Sequence, residues 1–202
     1  QNTVFQVSSL SKWISAFGIM KLVEQGKLDL DAPVSKYLKR WSLPESQFNN
    51  QEVTTRRLLS HTAGLTDQLG YSGFEDERSI QTIEESLTKA LDADSGKVGS
   101  VVVGVKPGRL FNYSGGGYTL LQLLVEEVTG KSFAGYMKEE IFIPLGMTNS
   151  TFDWREILTG RLCEFYNEDG TPAPHYKYTA LAATSLYTSL SDLELFFQAH
   201  LI

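Results

Sequence analysis

From Trp13 to Val23 the run WISAFGIMKLV is apolar almost all round, with Lys21 the main exception. A helix without a polar face belongs inside a fold. Ser8, Ser9 and Ser11 stand just before it, where a hydroxyl can cap a helix N-terminus, and Gly26 is placed to stop it. LDLDAPVSKYL then reads as a turn leading into a short helix at Pro33. VTTRRLLSHTAGL, from Val53 to Leu65, predicts a helix started by Thr54 or Thr55, with Leu58 and Leu59 inward and Gly64 at its end. From Thr82, TIEESLTKALDAD sets Ile83, Leu87, Ala90 and Leu91 at helical spacing with charges opposite, the pattern of an amphipathic surface helix.

The β-branched run Val101 to Val103 predicts a short strand ended by Pro107-Gly108. Gly115, Gly116 and Gly117 precede a second buried helix, rich in leucine from Leu120 to Leu124 and stopped by Gly130. KSFAGYMKEEIFIPLGM predicts a helix that ends before Pro144, and the last helix runs from Ser191 through Leu201. No internal repeat, low-complexity tract or linker divides the chain. The pattern gives one compact unit, mainly helical with few strands.

Chemistry enters with Ser9-Leu10-Ser11-Lys12. A serine hydroxyl needs a base, and a lysine serves only if its ammonium can lose a proton. Residues three apart on a helix lie one turn apart on one face. Ser9 would have the positive end of the helix dipole beside it, and burial would lower the pKa of Lys12. The same pattern recurs at Ser86-Leu87-Thr88-Lys89. There the serine falls in the middle of a solvated helix behind Glu84 and Glu85, which would hold Lys89 protonated. The spacing alone is met equally well by an N-cap serine with Lys12 reaching solvent. Tyr113, taken alone, reads as a partly buried aromatic whose hydroxyl satisfies a loop carbonyl.

The 202 residues are 42% hydrophobic and 21% charged, ordinary globular usage. A net charge of -6, with basic residues gathered only at Lys39-Arg40 and Arg56-Arg57, argues against nucleic acid as a partner. One cysteine, Cys163, excludes an internal disulfide and a multi-cysteine metal site. His61, His175 and His200 lack metal-ligand spacing with a carboxylate, so neither metal nor other cofactor is called for. No run of eighteen apolar residues offers a membrane span, and QNTVFQVSS lacks the pattern of a signal peptide. A start without Met reads as a processed or excised segment.

FQVSSLSKW followed by LVEQGKLDLDAPVSKYL resembles the active-site helix and its sequel in serine β-lactamase-like proteins, the class C β-lactamase and penicillin-binding-protein family. VTTRRLLSHTAGL, PGRLFNYSGGGYTLLQLLVEEVTGKSF, IFIPLGMTNSTF and SLYTSLSDLELFF are similar to later segments of that family, in the same order. The resemblance implies an α/β (α+β) fold of β-lactamase/transpeptidase type and an acyl-transfer mechanism. It implies Ser9 as nucleophile, Lys12 as its base, and Tyr113 as a phenol sharing the proton. The family's Tyr-x-Asn motif falls on Tyr113-Ser114-Gly115, which makes Ser114 and Gly115 the expected substrate-binding positions. Gly115 departs from the motif, since glycine has no side chain with which to hold a substrate amide. His61 stands where the family also has a histidine and reads as a structural group at a helix end.

The resemblance also implies parts outside these residues: opening strands before Phe5 and a third motif, Lys or His followed one residue later by Gly, after the last helix. Residues 1–202 are therefore expected to be a partial domain, truncated at both ends, with most of its sheet elsewhere. The face of the Trp13 to Val23 helix that meets the sheet would then be open to water, at about 25 cal/mol per Å² of apolar surface. The function expected is a serine hydrolase acting on an ester, amide, D-amino-acid peptide or β-lactam, periplasmic or secreted by analogy with the family. The alternative is a binding or sensory domain that keeps the scaffold without turnover. The implied partner is a small-molecule or peptide-like substrate, and oligomeric state is left open.

Overall fold

The first apolar run folds as α1 (Ser11–Glu24) in the computed structural model, which describes residues 2–67, 70–94, 99–157 and 160–201. Ile14, Ile19 and Leu22 are fully buried, but Met20 is 43% exposed and Trp13, Phe17 and Val23 are half-buried, so one side of this apolar helix is covered and the other stays open. The second, α4 (Gly115–Thr129), is buried at every position from Gly115 to Val125 and stops at Gly130, whose φ of 69° is the left-handed conformation that glycine adopts without strain. Both helices pack on α7 (Leu181–Thr184), where Ala182 and Ala183 are small enough to let three elements meet closely. This crossing is the centre of the core.

Around it lie α2 (Thr55–Leu59), α3 (Ile83–Lys89), α5 (Phe133–Met137) and α8 (Leu190–Gln198). Thr54 caps α2 by accepting the Arg57 N–H, Thr82 and Glu85 form a capping box on α3, and Ser189 caps α8. Strand content is small. β1 (Val4–Gln6) pairs antiparallel with β4 (Tyr187–Ser189), Val4 opposite Ser189 and Gln6 opposite Tyr187. β2 (Phe165–Tyr166) and β3 (Pro172–Ala173) make a separate hairpin. No helix among the described residues is long and apolar enough to cross a membrane. The basic pairs are occupied by acids: Arg40 meets Glu84, Glu126 and Glu127, Arg56 meets Asp31, and Arg57 meets Glu52.

Several expectations need correction. The α2 helix ends at Leu59, because His61 takes a φ of 56° and its carbonyl turns to the Asn112 N–H, so Gly64 is not its stop. The chain at Pro33 makes one 3-10 turn over Val34–Lys36. Val101 to Val103 is not a strand; Val103 makes a single bridge to Leu65 while Val101 fills the core. Pro144 does not end the preceding helix. A π-helical turn over Lys138–Phe142 leads from α5 into a last turn, α6 (Ile143–Leu145), where a residue without an N–H sits in the first positions and needs no partner. Leu91 is 69% exposed because α3 has already ended at Lys89, and Ser86 is buried, not solvated.

Candidate active site

Ser9 does not lie within α1 but on a 3-10 turn, Ser8–Leu10, that runs directly into it. The helical spacing survives the change because Leu10 is itself α-helical in φ and ψ. Three contacts pin the turn. The Val7 N–H donates to the Leu186 carbonyl at 2.9 Å, the Ser11 hydroxyl donates to the Ser8 carbonyl at 2.5 Å, and the Leu186 N–H donates to the Ser11 hydroxyl at 2.9 Å. Ser8 is held at a φ of 47°, a region non-glycine residues rarely occupy, immediately before the candidate nucleophile. Ser9 is exposed.

Lys12, one turn further on, is 8% exposed. Its Nζ donates to the Ala183 carbonyl at 2.7 Å and to Ser9 Oγ at 3.4 Å. Burial lowers its pKa from the ordinary lysine value, and interaction with the Tyr113 hydroxyl opposes that only in part. Tyr113 comes from the segment just before α4, and its hydroxyl donates to Ser9 Oγ at 2.9 Å. The Lys12 Nζ stands 5.0 Å from the Tyr113 ring centroid. Burial raises the phenol's pKa, but hydrogen bonding to Lys12 and Ser9 and the charge of Lys12 outweigh it, so the net direction is downward. An exposed hydroxyl thus has two acid–base groups directed at its oxygen, each displaced toward the range in which it can exchange a proton near neutral pH.

The other two expected positions, Ser114 and Gly115, are buried. The Ser114 hydroxyl is buried, donates to Asp67 at 2.6 Å and accepts the Gly117 N–H at 2.7 Å, so it caps α4 where a substrate contact was expected. Gly115 is the buried first residue of α4, its carbonyl accepting from Thr119 Oγ1 at 3.3 Å. Two further residues complete the surroundings: Asp67, which the sequence did not single out, and His61, read from the sequence as a structural group at a helix end. Asp67, 3% exposed, takes the Gly116 N–H at 3.1 Å as well as the Ser114 hydroxyl, and a Cβ on Gly116 would stand 2.4 Å from Val101 and 3.1 Å from this carboxyl. His61 Nδ1 accepts the Ser114 N–H at 3.1 Å, with its ring 4.5 Å from that of Tyr113. The histidine in SHTAG was a visible signal; GLTDQ carried none for Asp67. A recess of about 780 Å³ lined by Gln122, Phe133, Phe152, Trp154 and Tyr178 includes none of Ser9, Lys12 and Tyr113.

Comparison with known proteins gives the family and the fold. Penicillin-binding protein 4* of Bacillus subtilis is 32% identical over 149 residues, covering 74% of this chain and 30% of its own length. The octameric penicillin-binding protein homologue from Pyrococcus abyssi superposes with a TM-score of 0.75 at 31% identity, over 98% of this chain and 45% of that one. D-amino acid amidase from Ochrobactrum anthropi shares the fold, with a TM-score of 0.76 at 23% identity over 98% of this chain and 55% of its own. The chain spans 30 to 37% of the length of the curated relatives it matches. The family model described as Beta-lactamase matches residues 1–201, and the chain belongs to that family.

Proposed function

We propose that the complete protein is a serine hydrolase that works through an acyl-enzyme, with Ser9 as nucleophile and Lys12 and Tyr113 sharing its proton. The observation that carries the reading is the convergence of Lys12 Nζ and the Tyr113 hydroxyl on Ser9 Oγ, at 3.4 and 2.9 Å. Either group in its deprotonated form takes the Ser9 proton as Oγ attacks a carbonyl carbon. The proton then passes to the leaving group, and water reverses the sequence to release the acid. The Ala183 carbonyl holds Lys12 in place for both halves.

The substrate class is an ester, amide, D-amino-acid peptide or β-lactam. Within it, small activated esters are the better substrates, because Gly115 offers no side-chain amide to pair with a polar substrate group. A missing partner of that kind costs about 1–3 kcal/mol. Similarity to a D-amino acid amidase and to penicillin-binding proteins supports an acyl carbonyl as the target. The test is labelling of the complete protein with a fluorophosphonate followed by peptide mapping. Ser9→Ala should abolish the adduct and Ser86→Ala should leave it intact. An adduct on Ser86, or none on the unaltered protein, removes the proposal.

A further inference from the structure

His61 holds the segment that carries Tyr113 at two points. Its own backbone stands at a φ of 56°, and in that conformation its carbonyl accepts the Asn112 N–H at 2.8 Å while its Nδ1 accepts the Ser114 N–H at 3.1 Å. The residues on both sides of Tyr113 are thus tied to one histidine. The imidazole also lies against the Tyr113 ring at 4.5 Å and 32° and against the Tyr118 ring at 5.3 Å. An imidazole whose Nδ1 accepts a hydrogen bond is neutral and carries its proton on Nε2.

We propose that His61 is a positioning residue and a proton gate for acylation: the neutral ring aims the Tyr113 hydroxyl at Ser9, and a proton on Nδ1 breaks the hold on Ser114 and stops the reaction. This rests on the roles proposed above for Ser9 and Tyr113. A protonated Nδ1 is a donor facing another donor, the Ser114 N–H, and the contact turns repulsive. The groups facing the ring set when this happens. Lys12 on α1 opposes a second positive charge, Asp67 after α2 favours it, Tyr113 and Tyr118 meet it as neutral phenols, and Phe111, edge-on at 5.7 Å, carries no charge. Burial and then Lys12 outweigh Asp67 and hold the imidazole below its ordinary value of 6.5. The gate is open at neutral pH and closes on the acid side.

His61→Asn separates the gate from the scaffold. Asparagine tolerates the left-handed backbone and offers an amide oxygen as acceptor, but it does not titrate. The measurement is the second-order rate of fluorophosphonate labelling of the complete protein between pH 4.5 and 8, with Ser9→Ala alongside. Above pH 7 the His61→Asn rate should fall within about tenfold of the unaltered rate, the range that lost ring contacts allow. Below the His61 midpoint the unaltered protein should lose rate with a logarithmic slope steepening from one toward two, while the variant keeps a slope of one. One pH unit below that midpoint the difference is about tenfold. Parallel profiles overturn the gate. Proton NMR titration of His61 in the unaltered protein tests it without any variant: a midpoint below 6.5 supports the gate, and one at or above 6.5 overturns it. Labelling that survives in Ser9→Ala overturns the serine mechanism itself, whereas loss of labelling in Ser9→Ala with parallel profiles overturns the gate alone.

Discussion

Replacing Asp67 by Ala should damage both the stability of the protein and the placement of Tyr113. The carboxylate is 3% exposed and takes hydrogen bonds from the Ser114 hydroxyl at 2.6 Å and the Gly116 N–H at 3.1 Å, both inside the fold. Removing it deprives two buried donors of this acceptor, at about 1–3 kcal/mol each, hence about 2–6 kcal/mol together. That is a large part of the 5–15 kcal/mol, roughly, that separates native from unfolded in a typical domain. Asp67→Asn keeps one acceptor oxygen and should lose roughly half as much. Urea unfolding followed by tryptophan fluorescence reads the stability, with Trp13, Trp41 and Trp154 as reporters. The labelling rate in the absence of urea reads the site. Because Ser114 follows Tyr113 directly, the Asn variant should label at a rate between those of the unaltered and Ala proteins. A destabilisation below about 1 kcal/mol in Asp67→Ala would refute the view that this carboxylate anchors the start of α4.

Three further outcomes are expected. Lys12→Arg should label nearly as slowly as Lys12→Ala, since a guanidinium does not give up its proton in a protein, and full activity in the Arg variant would show that Lys12 is not the base. Asp92 is 5% exposed, and burial raises its carboxyl to about 6 from 3.8, so the folded state keeps a proton that the unfolded chain has released. Stability should therefore fall as pH rises from about 4 through 6 and level off above, and Asp92→Asn should remove this slope and stabilise the protein at pH 8 by at most about 3 kcal/mol; urea midpoints across that range check it. The complete protein should turn over a p-nitrophenyl ester with higher kcat/KM than a chromogenic cephalosporin, and Gly115→Asn should narrow the ratio; a cephalosporin preference in the unaltered protein would end the substrate argument.

The sequence made the two long helices legible because their apolar residues leave little polar face, and their glycine stops, Gly26 and Gly130, both adopt positive φ. It also brought Ser9, Lys12 and Tyr113 onto one short list, through the resemblance more than through spacing. What it could not show was set by partners far along the chain. The burial of Ser86 depends on what packs against α3, and periodicity carries no record of that. Pro144 inside a helical turn depends on the π-helical register before it. Ser114 reads as a substrate contact until Asp67, 47 residues earlier, is seen to hold its hydroxyl. His61 was visible as a letter, but its role lies in a left-handed backbone that few non-glycine residues adopt, and the apolar periodicity carries no record of it.

The pairing of β1 with β4 joins residues near opposite ends of this stretch, and Lys12 meets the Ala183 carbonyl across 171 positions. Contacts of such sequence separation are the slow ones to form in a folding chain, whereas α1 and α4 are built from local turns. A partly folded chain can hold both helices while Ser9 remains an ordinary hydroxyl, without an oriented lysine or phenol. If Ser9 is the nucleophile proposed above, its reactivity depends on the far segment closing over the first helix, and a partly folded chain should not be labelled at this position.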